Sequence, residues 1–168
     1  MCIIYLLSTG GTIEKVYSEQ TGTAQNIDSK IEQYLRKLRL PGCDVQVVPL
    51  MNKDSLEMTA DDRVALAAEL ERLLPEKHPM IISHGTDTMV ETGLYIQSRF
   101  PSLEVPIILT GAMTPLGFEG SDGLQNLTES LLAARLIAPG VHIVFHGQVF
   151  SIAHVRKDRA LATFVSVK

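Results

Sequence analysis

The feature that most constrains the fold of this chain is a strict alternation of two hydrophobic periods. Five short, nearly all-apolar runs rich in β-formers, at 2–7, 45–50, 80–83, 106–110 and 141–146, are separated by helical patterns at 28–40, 60–74, 88–100 and 123–137. Runs apolar at every position rather than every second one are strands covered on both faces. The order β-α-β-α-β-α-β-α-β therefore predicts an α/β fold: a three-layer, doubly wound, mainly parallel sheet with right-handed crossovers. A flavodoxin-like strand order, 2-1-3-4-5, places the topological switch between the first and third strands. The helix expected at 60–74 has the clearest start, with Thr59 and Asp62 spaced as a capping box.

Composition narrows the function classes. At 168 residues, the chain has the length of one ordinary domain, 1–168, and 45% hydrophobic against 20% charged residues excludes a disordered one. A net charge of −4 and only 5% aromatic residues leave neither the basic stripe nor the stacking platform of a nucleic-acid binder. The first run has no basic residues before it and leads into Ser8 and a Gly-Gly pair, so it reads as a strand, not a signal peptide or membrane span. Two cysteines, Cys2 and Cys43, make no disulfide framework and no paired C-x-x-C, which points to a reducing cytoplasm.

Three strands end in loops of one kind: Ser8-Thr9-Gly10-Gly11-Thr12, Ser83-His84-Gly85-Thr86-Asp87 and Thr110-Gly111-Ala112-Met113-Thr114. In open parallel sheets ligands sit beyond the carboxyl ends of the strands, at the switch point. The loops carrying Thr12 and Thr86-Asp87 are then expected to face one another across a single crevice. Gly10-Gly11-Thr12 lets the backbone approach a ligand closely and aim amides at an oxyanion, or else is a strand-to-helix turn capped by Thr12. Asp87 is either a site carboxylate or the cap of the following helix. Asp54-Ser55-Leu56-Glu57-Met58 presents a hydroxyl and backbone donors, or is a polar lead into the Thr59 cap. No Gly-Lys-Ser/Thr and no G-x-G-x-x-G occurs, and His78, His84, His142, His146 and His154 lack ligand spacing, so neither a cofactor nor a metal is expected.

Taken in order, the stretches STGGTIEK at 8–15, KDSLEMT at 53–59, SHGTDTMVETG at 83–93, ILTGAM at 108–113, SDGLQN at 121–126 and HVRKDR at 154–159 resemble the bacterial-type L-asparaginase and glutaminase-asparaginase family. The resemblance covers essentially the whole chain as the family's N-terminal domain, in a short single-domain form. It implies hydrolysis of a side-chain amide, L-asparagine to aspartate and ammonia, with Thr12 attacking the amide carbon to form an acyl-enzyme. A threonine hydroxyl needs a neighbour to take its proton; the family assigns this to a tyrosine on the loop after the first strand, here Tyr17, with Thr21 or Thr23 as other polar contacts. Thr86, Asp87 and Lys157 match the second catalytic group, in which lysine and threonine transfer protons and the aspartate binds the substrate α-amino group. Lysine titrates near about 10.4 in water, so a base role requires burial or nearby positive charge. Ser55 matches the binder of the α-carboxylate, with Gly11, Asp54, Gly85 and Ala112 completing the substrate contacts and backbone amides near Thr12 and Thr86 holding the oxyanion.

The sequence departs from the family pattern at Leu56, where many members carry a polar side chain, and at Thr114, where two-domain relatives commonly have arginine. It ends where the second domain of those relatives begins. The run 149–168 reads as an orderly return through a Lys157 loop into a β-rich segment at 161–167, the pattern of a complete short protein. A homodimer or homotetramer is the expected means of covering the crevice. Two alternatives stand beside the amidohydrolase: an aspartate- or asparagine-binding regulatory module with little turnover, and hydrolysis of another amide such as glutamine or a larger asparaginyl compound.

Overall fold

The computed structural model describes residues 2–27 and 29–168. Strands β1 (Cys2–Gly10), β4 (Cys43–Lys53), β5 (Met80–Ser83), β6 (Pro106–Thr110), β7 (Gly140–Phe145) and β8 (Gln148–Ser151) form one sheet in the order β4-β1-β5-β6-β7-β8. Its first five members run parallel in the expected 2-1-3-4-5 arrangement, and β8 adds an antiparallel edge. Two further ribbons, β2 (Val16–Ser18) with β3 (Thr23–Gln25) and β9 (Val155–Asp158) with β10 (Thr163–Ser166), stand apart from that sheet.

Alternation along the buried strands divides the interior into two layers. In β1, Tyr5 and Leu7 join the cluster built on Leu66, Leu70, Met89 and Ile96, which belong to helices α2 (Ala60–Leu73) and α3 (Met89–Arg99). Ile4 and Leu6 point the other way, to Ile31 of α1 (Ile31–Leu35) and Leu127 and Leu131 of α4 (Gly123–Ala133). The sheet is thus sandwiched between helices, the three-layer α/β architecture expected of the sequence.

Three expectations are corrected. The first helix is only Ile31–Leu35: no side chain caps its start, and its tail tightens into i to i+3 turns, Lys37 N–H to Tyr34 O at 3.1 Å and Leu38 N–H to Leu35 O at 3.0 Å, ahead of Pro41 and Gly42. The expected start at Asp28 lies outside the described residues. The run at 141–146 ends one residue earlier and turns back into β8, because His146 and Gly147 both have positive φ (49° and 76°), the backbone of a two-residue hairpin. Lys157 sits on strand β9 rather than in a loop. The capping box at Thr59 and Asp62 forms as expected.

What matters for the site is register. Ser8 pairs with Ser83, and Ser83 with Thr110, so β1, β5 and β6 finish in one row and their three loops leave the sheet side by side. Hydroxyls stitch that row together: Thr9 Oγ1 donates to Ser83 O at 2.6 Å and Thr110 Oγ1 to Val144 O at 3.0 Å.

Candidate active site

The β1 and β5 loops adjoin, and the contact is backbone on backbone. Gly11 has φ 80°, and a Cβ there would fall 2.3 Å from Gly85 N. A Cβ on Gly85 would in turn fall 2.4 Å from Ser55 Oγ. The turns bearing Thr12, Ser55 and Thr86 therefore meet at two glycines that leave no room for a methyl group. Half-buried Thr12 opens a single 3-10 turn, Thr12–Glu14, beyond that contact. The Gly11 amide is committed to Lys53 O at 2.8 Å, so it is not a donor for a ligand oxyanion.

Beneath the turn lies Glu14, wholly buried, with Ser8 Oγ (2.6 Å), Ser29 Oγ (3.2 Å) and Ser83 Oγ (3.3 Å) all donating to Oε1. Burial pushes its carboxyl above the ordinary range despite those donors. On the other side of the β5 loop His84 is fully buried, its Nδ1 2.7 Å from the Gly85 carbonyl. A carbonyl only accepts, so Nδ1 carries the proton; Nε2 has no partner among the described residues, and burial lowers the imidazole to about 4.

Lys157 reaches the site through strand alternation. Val155, buried in the core, and Lys157 share the inner face of β9, while Arg156 turns outward to Asp158 at 3.2 Å. Phe164, cross-strand from Lys157, is fully buried and packs edge-on against Phe145 at 5.1 Å and 74°, a contact worth about 1 kcal/mol beyond its buried area. Anchored this way, Lys157 Nζ donates to Thr86 Oγ1 at 2.7 Å and to Asp87 Oδ1 at 2.9 Å. Arg159 Nη2 approaches the same Asp87 oxygen at 2.8 Å.

Ser55 is buried, and its Oγ has no hydrogen-bond partner among the described residues. Its carbonyl accepts from Thr88 Oγ1 at 2.9 Å, which ties the two loops together. Asp54 caps that turn through Leu56 N–H at 3.0 Å and pairs with Lys15 at 2.6 Å; the Lys15 ammonium holds its carboxyl below the usual carboxylate range. Ala112 is fully buried in the cluster containing Ile13 and Leu116, and offers no exposed atom to a ligand.

Tyr17 is placed differently. It lies on the β2–β3 ribbon, 60% exposed, with its hydroxyl near Gly22 at the turn. Both ends of the ribbon are fastened to the site, by Lys15 to Asp54 and by Asn26 Nδ2 to Gly11 O at 2.9 Å and Asn52 Oδ1 at 3.0 Å. Between the ribbon and β4 opens a polar cavity of about 360 Å³ lined by Lys15, Asn26, Asn52, Asp54 and Glu57, and not by Thr12, Thr86 or Lys157.

Several supporting residues escape sequence reasoning. Asp122 takes the amides of Met113 and Thr114 (each 3.0 or 2.9 Å) and Nε2 of His146 at 2.9 Å, and Asn126 ties Gly111 O to the His146 amide. Burial raises the Asp122 carboxyl, but these donors outweigh it and hold it below the ordinary range. His146 Nδ1 also lies 2.9 Å from Thr163 Oγ1, which links the β6 loop to the ribbon bearing Lys157. The His146-Gly147 dipeptide between two apolar runs was the available signal for this hairpin.

Among the described residues no group of three or more His, Cys, Asp or Glu side chains converges to hold a metal ion, and no helix is long and apolar enough to cross a membrane. Residues 3–168 match the family model described as Asparaginase, N-terminal. The chain belongs to the asparaginase family. Relatives include L-asparaginase 1 of Escherichia coli K12, 33% identical over 88% of this chain and 45% of that protein. A glutamyl-tRNA(Gln) amidotransferase subunit of Methanococcus vannielii is 30% identical over 87% of this chain and 34% of that protein. The solved structure of the thermostable L-asparaginase from Thermococcus kodakarensis superposes with a TM-score of 0.85 at 27% identity, covering 98% of this chain and 51% of that one. This asparaginase N-terminal region thus spans about half, or less, of the length of each.

Proposed function

We propose that this chain carries the nucleophile-bearing site of an amidohydrolase that cleaves the side-chain amide of L-asparagine, through Thr12 and an acyl-enzyme. The observation that carries the reading is the Lys157–Thr86–Asp87 constellation, set beside the Thr12 turn by the Gly11–Gly85 contact. With Lys157 donating to Thr86 Oγ1, the Thr86 hydroxyl proton is held only by a weak bond to Met113 Sδ at 3.9 Å and turns readily to a water or to the Thr12 oxygen; a neutral Lys157 would accept it, completing a base relay. The hydroxyl of Ser55, buried and without a partner among the described residues, is the donor left for the substrate α-carboxylate, and Asp87 supplies the counter-charge for the α-amino group. Tyr17 assists Thr12 only after the β2–β3 ribbon folds inward, a movement for which its exposed position leaves room. A homodimer or homotetramer covers the crevice.

The test is ammonia release from L-asparagine by the purified chain beside Thr12→Ala and Lys157→Met. Activity that falls at least about a hundredfold in both variants, with far-UV circular dichroism unchanged, is the expected result. A folded wild type that releases no ammonia above background, yet is stabilised against heat by aspartate, would replace this reading with a binding module.

A further inference from the structure

In the resting site one oxygen of the carboxylate assigned to the substrate α-amino group already holds two cations. Asp87 Oδ1 receives Lys157 Nζ at 2.9 Å and Arg159 Nη2 at 2.8 Å, so the trio carries a net positive charge. Arg159 stands at the first position of the turn that follows β9, and from there a guanidinium 76% exposed reaches back to Asp87. The other carboxylate beside the Ser55 turn, Asp54, is likewise paired, with Lys15 at 2.6 Å. Next to Ser55 stands Leu56, 69% exposed and apolar, so its own side chain adds no acceptor, while Glu57 lines the neighbouring cavity with Lys15 and Asp54.

We propose that Arg159 sets substrate selectivity against a free α-ammonium group, and that the preferred substrates are amides with the asparagine side chain whose α-nitrogen is acylated or absent. The inference rests on the amidohydrolase reading for its substrate core and adds what that core carries. An α-ammonium entering beside Asp87 either displaces Arg159 from Oδ1 or takes the other carboxylate oxygen next to two cations, whereas an acylated nitrogen is neutral and its acyl group meets Leu56. Free L-asparagine remains a substrate, at a disadvantage set by one exposed ion pair, about fivefold.

The experiment is calorimetric titration of wild type and Arg159→Gln with L-aspartate, succinate and N-acetyl-L-aspartate, together with ammonia release from L-asparagine, succinamate and N-acetyl-L-asparagine. Wild type should bind succinate and N-acetyl-L-aspartate more tightly than L-aspartate. In Arg159→Gln the ratio should move toward L-aspartate about fivefold, with kcat/KM for L-asparagine rising relative to succinamate through KM, and added salt should narrow the wild-type ratio. An aspartate-to-succinate ratio equal within about twofold in the two proteins overturns the inference, as does wild-type preference for L-aspartate or failure of all three ligands to bind. Ammonia release with an unmoved ratio sinks this inference alone; a shifted binding ratio without ammonia from any amide sinks the hydrolase reading alone.

Discussion

A methyl group at position 85 has nowhere to go. The neighbours it would strike are Ser55 Oγ at 2.4 Å, Ser55 Cβ at 2.5 Å and the Ser55 amide at 3.0 Å, all on a turn fixed by the Asp54 cap and by the Thr88 hydroxyl. Gly85→Ala should therefore cost about 1–3 kcal/mol in urea unfolding and displace Ser55 from the substrate carboxylate, raising KM more than it lowers kcat. Gly10-Gly11 was legible in the sequence as a tight turn and Gly85 as part of a strand-end loop, yet the sequence could not say that Gly11 and Gly85 press on each other. Arg159 shows the same limit: the HVRKDR stretch drew attention to Lys157, and only the folded turn after β9 brought the second cation to Asp87.

Among the elements, the two small ribbons govern the site. The β9–β10 ribbon holds Lys157 in place by burying Phe164 and by the contact of His146 with Thr163. His146→Ala removes that contact and the His146–Asp122 bond that steadies the Met113–Thr114 turn. The expected outcome is a kcat lowered about tenfold with a melting temperature only a few degrees down, read from steady-state ammonia release and thermal unfolding. Helix α2 owes its start to the reciprocal Thr59–Asp62 bonds, with Lys53 holding the Asp62 carboxyl at about 2. Thr59→Ala should lower stability by about 1 kcal/mol and leave activity untouched, because the Thr59 side chain bonds only within the helix start, to Asp62. The capping box and the long helices were readable because their signals are local. The short first helix was not, since a 3.6-residue pattern is cut there by turns that depend on packing.

For the whole molecule, the two buried titratable groups flanking the site give opposite pH dependences. His84 is held neutral, with its folded value near 4 against an unfolded 6.5, so the stability it contributes is lost as pH falls from about 6.5 toward 4. Glu14 is raised above 4.5, so its contribution is greatest at acid pH and is lost as pH rises through its folded value. Relative to His84→Asn, wild type should lose about 3 kcal/mol between pH 7 and pH 4, the Glu14 contribution being common to both proteins. Relative to wild type, Glu14→Gln should gain stability at pH 7 compared with pH 4. Urea unfolding at the two pH values checks both signs.

The sequence by itself determined the layered α/β alternation and the three strand-end loops, because hydrophobic period and turn chemistry act over a few residues and survive any packing, whereas the 2-1-3-4-5 order was the common arrangement assumed for five such strands and is the one the structure has. Only the tertiary structure decided which loop touches which, that Lys157 and Arg159 share one oxygen of Asp87, that Ala112 is core, and that Tyr17 stands outside the crevice. Those facts depend on strand register and side-chain direction between segments as much as 70 or more residues apart, as the Lys157–Thr86 pair shows, and no local pattern encodes them.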